Sequence, residues 1–135
     1  MILTDAGPLI ALIDRRDTDH SRCVAAASSL VGPMLSTWPA FTEAMYLLGA
    51  GAGWRGQEPL WRMVRTGQLM LAEVTTTMLA RMPGLMQQYR DFPMNLADAS
   101  LVAMAEELRL HEVLTLDRDS RVYRLPDGQA FNVLP

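Results

Sequence analysis

The sequence has 135 residues, of which 50% are apolar and 20% charged, and its formal net charge is −3. This length suits one domain over 1–135, and the composition excludes a disordered or collagen-like chain. The negative charge argues against binding nucleic acid through a broad basic face, so any such contact must be local. No apolar run approaches the roughly 20 residues that cross a bilayer, and the start lacks the features of a signal peptide. The single cysteine, Cys23, cannot form an internal disulfide, and we expect a cytoplasmic protein without a membrane partner.

Short apolar runs alternate with amphipathic stretches along the whole chain. In chain order, the patterns predict a strand over 1–4, a short helix to residue 13, a helix over 20–30, a strand over 34–37, and helices over 40–48 and 54–66. They continue with a strand over 69–74, a helix over 75–90, a helix from the cap Asn95 to residue 110, and strands over 113–116 and 130–133. Gly51 to Gly53 is expected to end the third helix, and Pro83-Gly84 to interrupt the fifth.

This alternation of short strands with helices of about ten residues is typical of βαβ units. We therefore predict an α/β fold, a three-layer α/β/α sandwich with a central parallel sheet. In such sheets, ligands bind beyond the carboxyl ends of the strands.

Four acids are expected at that edge. Asp5 and Asp117 each follow an apolar strand, and Glu43 and Asp98 stand near the predicted starts of two helices, which lie at the same edge. Each acid alone has an ordinary explanation, since an aspartate suits a turn and an acid in a first helical turn stabilises the helix. The hypothesis of a site rests on the combination.

Carboxylates that lie a few ångströms apart raise one another's pKa unless a cation neutralises them. Ligands that are all oxygen favour Mg²⁺ or Mn²⁺, and such a site suits phosphate esters. Asp119 could approach the metal as a further ligand, and Thr115 could support a carboxylate. The sequence pairs neither His20 nor His111 with a nucleophile, and it contains no phosphate-binding glycine loop.

At this point the chain resembles the PIN-domain family, and within it the toxin ribonucleases of VapC type. The resemblance rests on Asp5-Ala6-Gly7-Pro8-Leu9-Ile10-Ala11-Leu12, Thr42-Glu43-Ala44, Leu96-Ala97-Asp98-Ala99-Ser100-Leu101 and Thr115-Leu116-Asp117-Arg118-Asp119, in that order. It implies that Asp5, Glu43, Asp98 and Asp117 bind Mg²⁺ or Mn²⁺ and cut RNA. It also implies a homodimer and a small antitoxin partner. Asn95 departs from the pattern, because many relatives carry another acid there.

Three other interpretations stay open at this stage. The chain could be a PIN-fold nuclease of RNA maturation outside any toxin–antitoxin pair, or a catalytically weak PIN fold that binds RNA or protein. It could also be a phosphohydrolase in which Asp5 attacks phosphate, although the sequence has no lysine and no second acid two residues after Asp5.

All 12 basic residues are arginines, whose guanidinium group can hold phosphate bidentately. The candidates for contact with RNA phosphate are Arg15, Arg16, Arg55, Arg62, Arg65 and Arg118.

Overall fold

The computed structural model describes residues 1–135, and its centre is a parallel sheet of five strands. The strands are β1 (Ile2–Thr4), β2 (Met34–Thr37), β3 (Leu69–Ala72), β4 (Glu112–Leu114) and β5 (Asn132–Leu134), in the order β3-β2-β1-β4-β5. The helices are α1 (Ala6–Ile13), α2 (His20–Ser28), α3 (Trp38–Ala52), α4 (Trp54–Arg65), α5 (Thr76–Gln88) and α6 (Leu96–Leu108). All four strand pairs are parallel, which confirms the predicted α/β sandwich. No helix is both long enough and apolar enough to cross a bilayer.

Neighbouring residues of the central strands face opposite sides of the sheet, and two separate apolar cores result. Ile2 of β1 packs with residues of α1, α3 and α4, including Phe41 and Leu60. Leu3, the next residue, packs with residues of α5 and α6, including Leu85 and Val102. This period of two is the geometry of an extended strand, and it explains why a strand covered on both faces is apolar throughout.

Two helices are more continuous than the sequence suggested. The third helix was predicted over 40–48, but α3 begins at Trp38, with Pro39 in its first turn, and continues through Gly51 to Ala52. Gly53 ends it at φ +59° and ψ −145°, a backbone conformation that glycine adopts without the steric penalty of a side chain. The predicted interruption at Pro83-Gly84 is also wrong, because α5 runs unbroken over Thr76–Gln88.

The carboxyl-terminal segment differs most from the prediction. The strand expected over 113–116 is β4 at Glu112–Leu114, and the last strand lies at Asn132–Leu134 rather than over 130–133. Between them a short 3-10 helix, Arg118–Arg121, was not predicted. A four-residue 3-10 turn is too short to leave a hydrophobic period in a sequence.

Two tyrosines whose rings meet edge to face offer a matched test of buried hydroxyl groups. The rings of Tyr89 and Tyr123 lie 4.9 Å apart, and both are buried. The hydroxyl of Tyr89 accepts a hydrogen bond from the Arg124 backbone N–H at 3.0 Å, whereas that of Tyr123 has no partner in the protein. Removing a bonded hydroxyl leaves its partner unsatisfied, but removing an unbonded one relieves a desolvation cost.

Tyr89→Phe is therefore expected to lower the free energy of unfolding by about 0.5 to 1.5 kcal/mol, and Tyr123→Phe to leave it unchanged or raise it by up to about 1 kcal/mol. Urea denaturation of both variants beside the parent protein measures the difference. A larger loss for Tyr123→Phe than for Tyr89→Phe would contradict this expectation and indicate a bound water on the Tyr123 hydroxyl.

Candidate active site

The site lies where the connections of the sheet change direction. From β1 the chain moves outward to β2 and β3, then returns through α5 and α6 to β4 on the other side of β1. Such a switch point opens a crevice between the carboxyl ends of the two central strands. Asp5 follows β1 and Asp117 follows β4 by three residues, so both acids stand at this crevice.

Asp5 joins β1 to α1 and is held by two hydrogen bonds. Its Oδ1 accepts from the Ala6 backbone N–H at 2.7 Å, which caps α1, and its Oδ2 accepts from the Thr115 hydroxyl at 3.0 Å. Asp5 as a whole residue is 9% exposed. Burial raises the pKa of Asp5, the two hydrogen bonds oppose this rise, and the Asp117 carboxylate adds to it. Thr115, a candidate from the sequence, thus orients Asp5 directly.

Asp98 is the third residue of α6 and forms a reciprocal capping box with Asn95. The Asn95 side chain accepts from the Asp98 N–H at 2.8 Å, and Asp98 Oδ2 accepts from the Asn95 N–H at 3.0 Å. Burial is the largest cause that raises the pKa of Asp98 to about 6. The carboxylates of Asp5, Asp117 and Glu43 raise it further, against the Asn95 hydrogen bond. Asp98 therefore caps its helix and also faces the other three acids.

Glu43 does not stand where the sequence suggested. Because α3 begins at Trp38, Glu43 lies in the second turn, and the first turn contains no acid. Helix capping consequently does not explain this side chain. Burial raises the pKa of Glu43, and the Asp5 carboxylate raises it further. Glu43 thus approaches the crevice from the layer opposite α6.

Asp117 and Asp119 are both part of the 3-10 turn, but they differ in their relation to the site. Asp117 caps this turn by accepting from the Asp119 N–H at 2.9 Å, and its own N–H donates to the Thr115 hydroxyl at 3.1 Å. The Asp117 carboxylate raises the pKa of both Asp5 and Asp98, whereas Asp119 affects neither. The structure therefore brings together Asp5, Glu43, Asp98 and Asp117. Beside burial, Asp119 acts with Asp98, Asp117 and Asp5 to raise the pKa of Tyr123, and it stays a predicted further ligand.

No arginine neutralises these four acids. The ion pairs of the protein involve Asp14, Asp19, Glu58, Glu106 and Asp127 only. The structure also does not place three acid or histidine side chains in position to hold one metal ion. Oxygen donors in this arrangement fit a hard cation that takes one or two carboxylates directly and keeps several waters, as Mg²⁺ does. The four acids therefore suit a metal ion that keeps most of its water molecules, and they do not form a site in which protein atoms alone surround the ion.

Two contacts near the site were not foreseen from the sequence. Thr37 ends β2, and its hydroxyl lies 2.6 Å from that of Ser100, with both side chains fully buried. This bond ties the carboxyl end of β2 to α6, two residues after Asp98. Tyr123 lines a small cavity with Asp98, and burial and the Asp98 carboxylate raise its pKa. The one sequence signal for these contacts was Ser100, two positions after Asp98. A serine side chain near the start of a helix often hydrogen-bonds to a nearby group.

The two histidines lie outside the crevice. His20 Nδ1 is 2.6 Å from the Ala11 carbonyl oxygen, and His111 pairs with the exposed Asp127 at 3.3 Å. Each of these bonds connects the end of a helix or strand to a neighbouring segment, so both histidines have a structural role.

Known proteins similar to this chain have the same architecture. A curated protein, ribonuclease VapC26 of Mycobacterium tuberculosis, is 24% identical over 135 residues, which cover 99% of this chain and all of that protein. The crystal structure of VapC20 from the same organism, described as a Sarcin-Ricin loop cleaving toxin, superposes with a TM-score of 0.81 at 15% identity, covering 88% of this chain and 92% of the other. A chain of a toxin–antitoxin complex from Klebsiella pneumoniae reaches 0.70 at 22% identity, covering 100% and 97%. No family model matches the sequence.

These likenesses confirm the PIN fold that the sequence resemblance implied. Within that fold, the resemblance to VapC-type proteins is confirmed as well, because a VapC protein matches the chain from end to end and VapC20 shares its architecture.

Proposed function

We propose that this protein is a VapC-type toxin ribonuclease that hydrolyses RNA phosphodiester bonds with the help of Mg²⁺ or Mn²⁺. The observation that carries the proposal is the convergence at the switch point of four acids that form no ion pair with an arginine or histidine. Burial, with repulsion among the acids as a smaller cause, raises the pKa of Asp5, Glu43 and Asp98, so the apo protein carries these three charges at a cost in free energy. A bound divalent ion would reduce the cost of holding these negative charges together. The curated relative VapC26 is a ribonuclease, which supports RNA as the substrate class.

Asp5, Glu43, Asp98 and Asp117 are the residues that would hold the cation, one or two of them directly and the others through its water molecules. When bound, the cation neutralises negative charge that develops on the phosphate oxygens during hydrolysis. The side chains themselves are fixed before the substrate arrives: Thr115 and Ala6 hold Asp5, and Asn95 holds Asp98. Preorganised carboxylates can orient a water for in-line attack on phosphorus without moving during the reaction. The water oxygen bonds to phosphorus and gives up a proton, the bond to the leaving nucleotide oxygen breaks and that oxygen takes up a proton, and no covalent protein intermediate forms.

An antitoxin is the partner that this proposal implies. A structural neighbour of high coverage is part of a toxin–antitoxin complex, which supports a partner of this kind for the present chain. The homodimer and the cytoplasmic location stay predictions of the family resemblance. Light scattering of the purified protein would test the first, and cell fractionation the second.

The test is cleavage of a total-RNA or tRNA pool by the purified protein, with a Sarcin-Ricin loop hairpin added because VapC20 is described as cleaving that loop. We expect discrete products with Mg²⁺ or Mn²⁺, none with EDTA, and none from an Asp5→Asn variant. Products that persist in EDTA would contradict the metal requirement. No cleavage of any RNA with either metal would favour a binding module over a nuclease.

A further inference from the structure

A polar cleft opens beside the acidic site, at the end of β4. Its volume is about 610 Å³, and its lining includes Arg22, Arg118 and Arg121 together with Asp19, Thr115 and Asp117. Thr115 and Asp117 belong to the acidic site as well, since Thr115 donates to Asp5 and Asp117 acts on Asp98. A molecule in this cleft would therefore lie next to the four carboxylates.

Arg118 and Arg121 project into the cleft from the 3-10 turn. Side chains three residues apart are eclipsed in a 3-10 helix, so these two guanidinium groups leave the turn on the same side. Both are exposed, and neither forms an ion pair with a carboxylate. Arg22 stands on α2 and pairs with Asp19 at 2.6 Å, which neutralises that aspartate. With Arg22 and Asp19 offsetting each other, Arg118 and Arg121 are the unpaired cations of the lining, and Asp117 is its unpaired acid.

The other arginines proposed from the sequence are placed less favourably. Arg62 and Arg65 both pair with Glu58, and they lie at the end of α4 that leads into β3, at the amino-terminal edge of the sheet. Arg15, Arg16 and Arg55 border a groove formed by the later turns of α1 and α3, which also point toward that edge. A larger groove of about 880 Å³ at the same edge is lined in part by Arg15 and Arg62 and contains none of the four acids.

We infer that Arg118 and Arg121, supported by Arg22, form a phosphate subsite that holds the RNA backbone beside the bond cut at the acidic site. The inference rests on the proposed function and adds to it the place where the substrate is held. A guanidinium group binds phosphate through two parallel hydrogen bonds, and two such groups on one side of a short turn can grip neighbouring oxygens of a chain. Two cations beside the acidic site would also reduce its repulsion of the RNA phosphates, in a protein whose net charge is −3.

The experiment measures binding of a fluorescent single-stranded RNA in EDTA, where cleavage is not expected, between 50 and 200 mM salt. For the double variant Arg118→Gln/Arg121→Gln we expect about tenfold weaker binding at 100 mM salt. The slope of log affinity against log salt should fall by about 1.4, because each lost contact to a single strand removes about 0.7. With Mg²⁺, the KM for cleavage should rise while kcat stays near that of the parent protein, as expected for residues that bind but do not react.

The matched control is Arg62→Gln/Arg65→Gln, which removes the same charge at the other edge of the sheet and should leave both affinity and slope unchanged. Equal loss in the two double variants would overturn the subsite, since it would show an effect of net charge alone. Displacement of the RNA by an oligoglutamate of equal charge, at equal concentration, would also overturn it and indicate a site for acidic peptides. If the parent protein binds RNA through these arginines but never cleaves it, the proposed function fails and the subsite stands.

Discussion

The Asp98→Asn variant is expected to lose RNA cleavage by at least about 100-fold and yet to unfold at higher denaturant concentration than the parent protein at pH 7. Activity falls because a carboxylate that would face the cation is replaced by a neutral amide. Stability rises because a buried charge, repelled by Asp5, Asp117 and Glu43, is removed. The amide oxygen of asparagine can still accept the hydrogen bond from the Asn95 N–H, so the cap of α6 is kept.

The gain in stability should depend on pH in a defined direction. The pKa of Asp98 is about 6 in the folded protein, against an ordinary value of 3.8. Between these values the folded state binds more protons than the unfolded state, so the free energy of unfolding falls as pH rises from about 4 to about 6. The loss continues through the folded-state pKa of Asp98 and is nearly complete at about pH 7. It is worth about 1 to 2 kcal/mol after allowance for solvent screening and for the lost favourable charge at the helix start.

Urea denaturation of both proteins in EDTA, at pH 4.5 and pH 7, measures this effect. We expect the variant to be more stable at pH 7 and the difference to shrink toward zero at the lower pH. Asp127→Asn is the control, because it makes the same chemical change at an exposed turn remote from the site, and its cleavage activity should equal that of the parent. Parent-level cleavage by Asp98→Asn would sink the assignment of the site.

The fold and the four acids were predictable from the sequence because each leaves a local signal. A strand buried on both faces is a short apolar run, and an acid at its end is conspicuous, as at Ile2–Thr4 followed by Asp5. Asn95 followed three residues later by Asp98 is a capping pattern that the structure reproduces bond for bond. Chain order then determined which edge of the sheet these residues share.

The features that were not predicted depend on contacts between segments that are far apart in the sequence. The start of α3 was misplaced by two residues, and the earlier start takes Glu43 out of the first turn, so helix capping no longer explains this acid. Pro83 was expected to break α5, but its ring is accommodated within a helix that packs firmly on α6. The bond between Thr37 and Ser100 joins residues 63 positions apart and leaves no local pattern.

Two glycines near the turn between α3 and α4 are expected to respond in opposite ways to the same substitution. Gly56 is buried in α4, and a Cβ atom there would lie 2.8 Å from the Leu48 carbonyl oxygen and 3.2 Å from the Ala52 Cβ. Both neighbours belong to α3, and the carbonyl is part of the backbone, so neither can move without separating the helices. Gly51, inside α3, has nothing within 4 Å of its Cβ position.

Gly56→Ala should therefore lower the free energy of unfolding by about 1 to 3 kcal/mol through overpacking, even after the better helix propensity of alanine is counted. Gly51→Ala should raise it by about 0.5 to 1 kcal/mol, because alanine loses less backbone entropy in a helix. Urea denaturation of the two variants measures the contrast, and a gain for both would contradict the close approach of α3 and α4.

Since Glu43 stands on α3, the separation forced by Gly56→Ala should also reduce RNA cleavage, whereas Gly51→Ala should leave it intact. A loss of cleavage in Gly56→Ala alone would show that Gly56, which lies outside the acidic site, helps to set the position of Glu43.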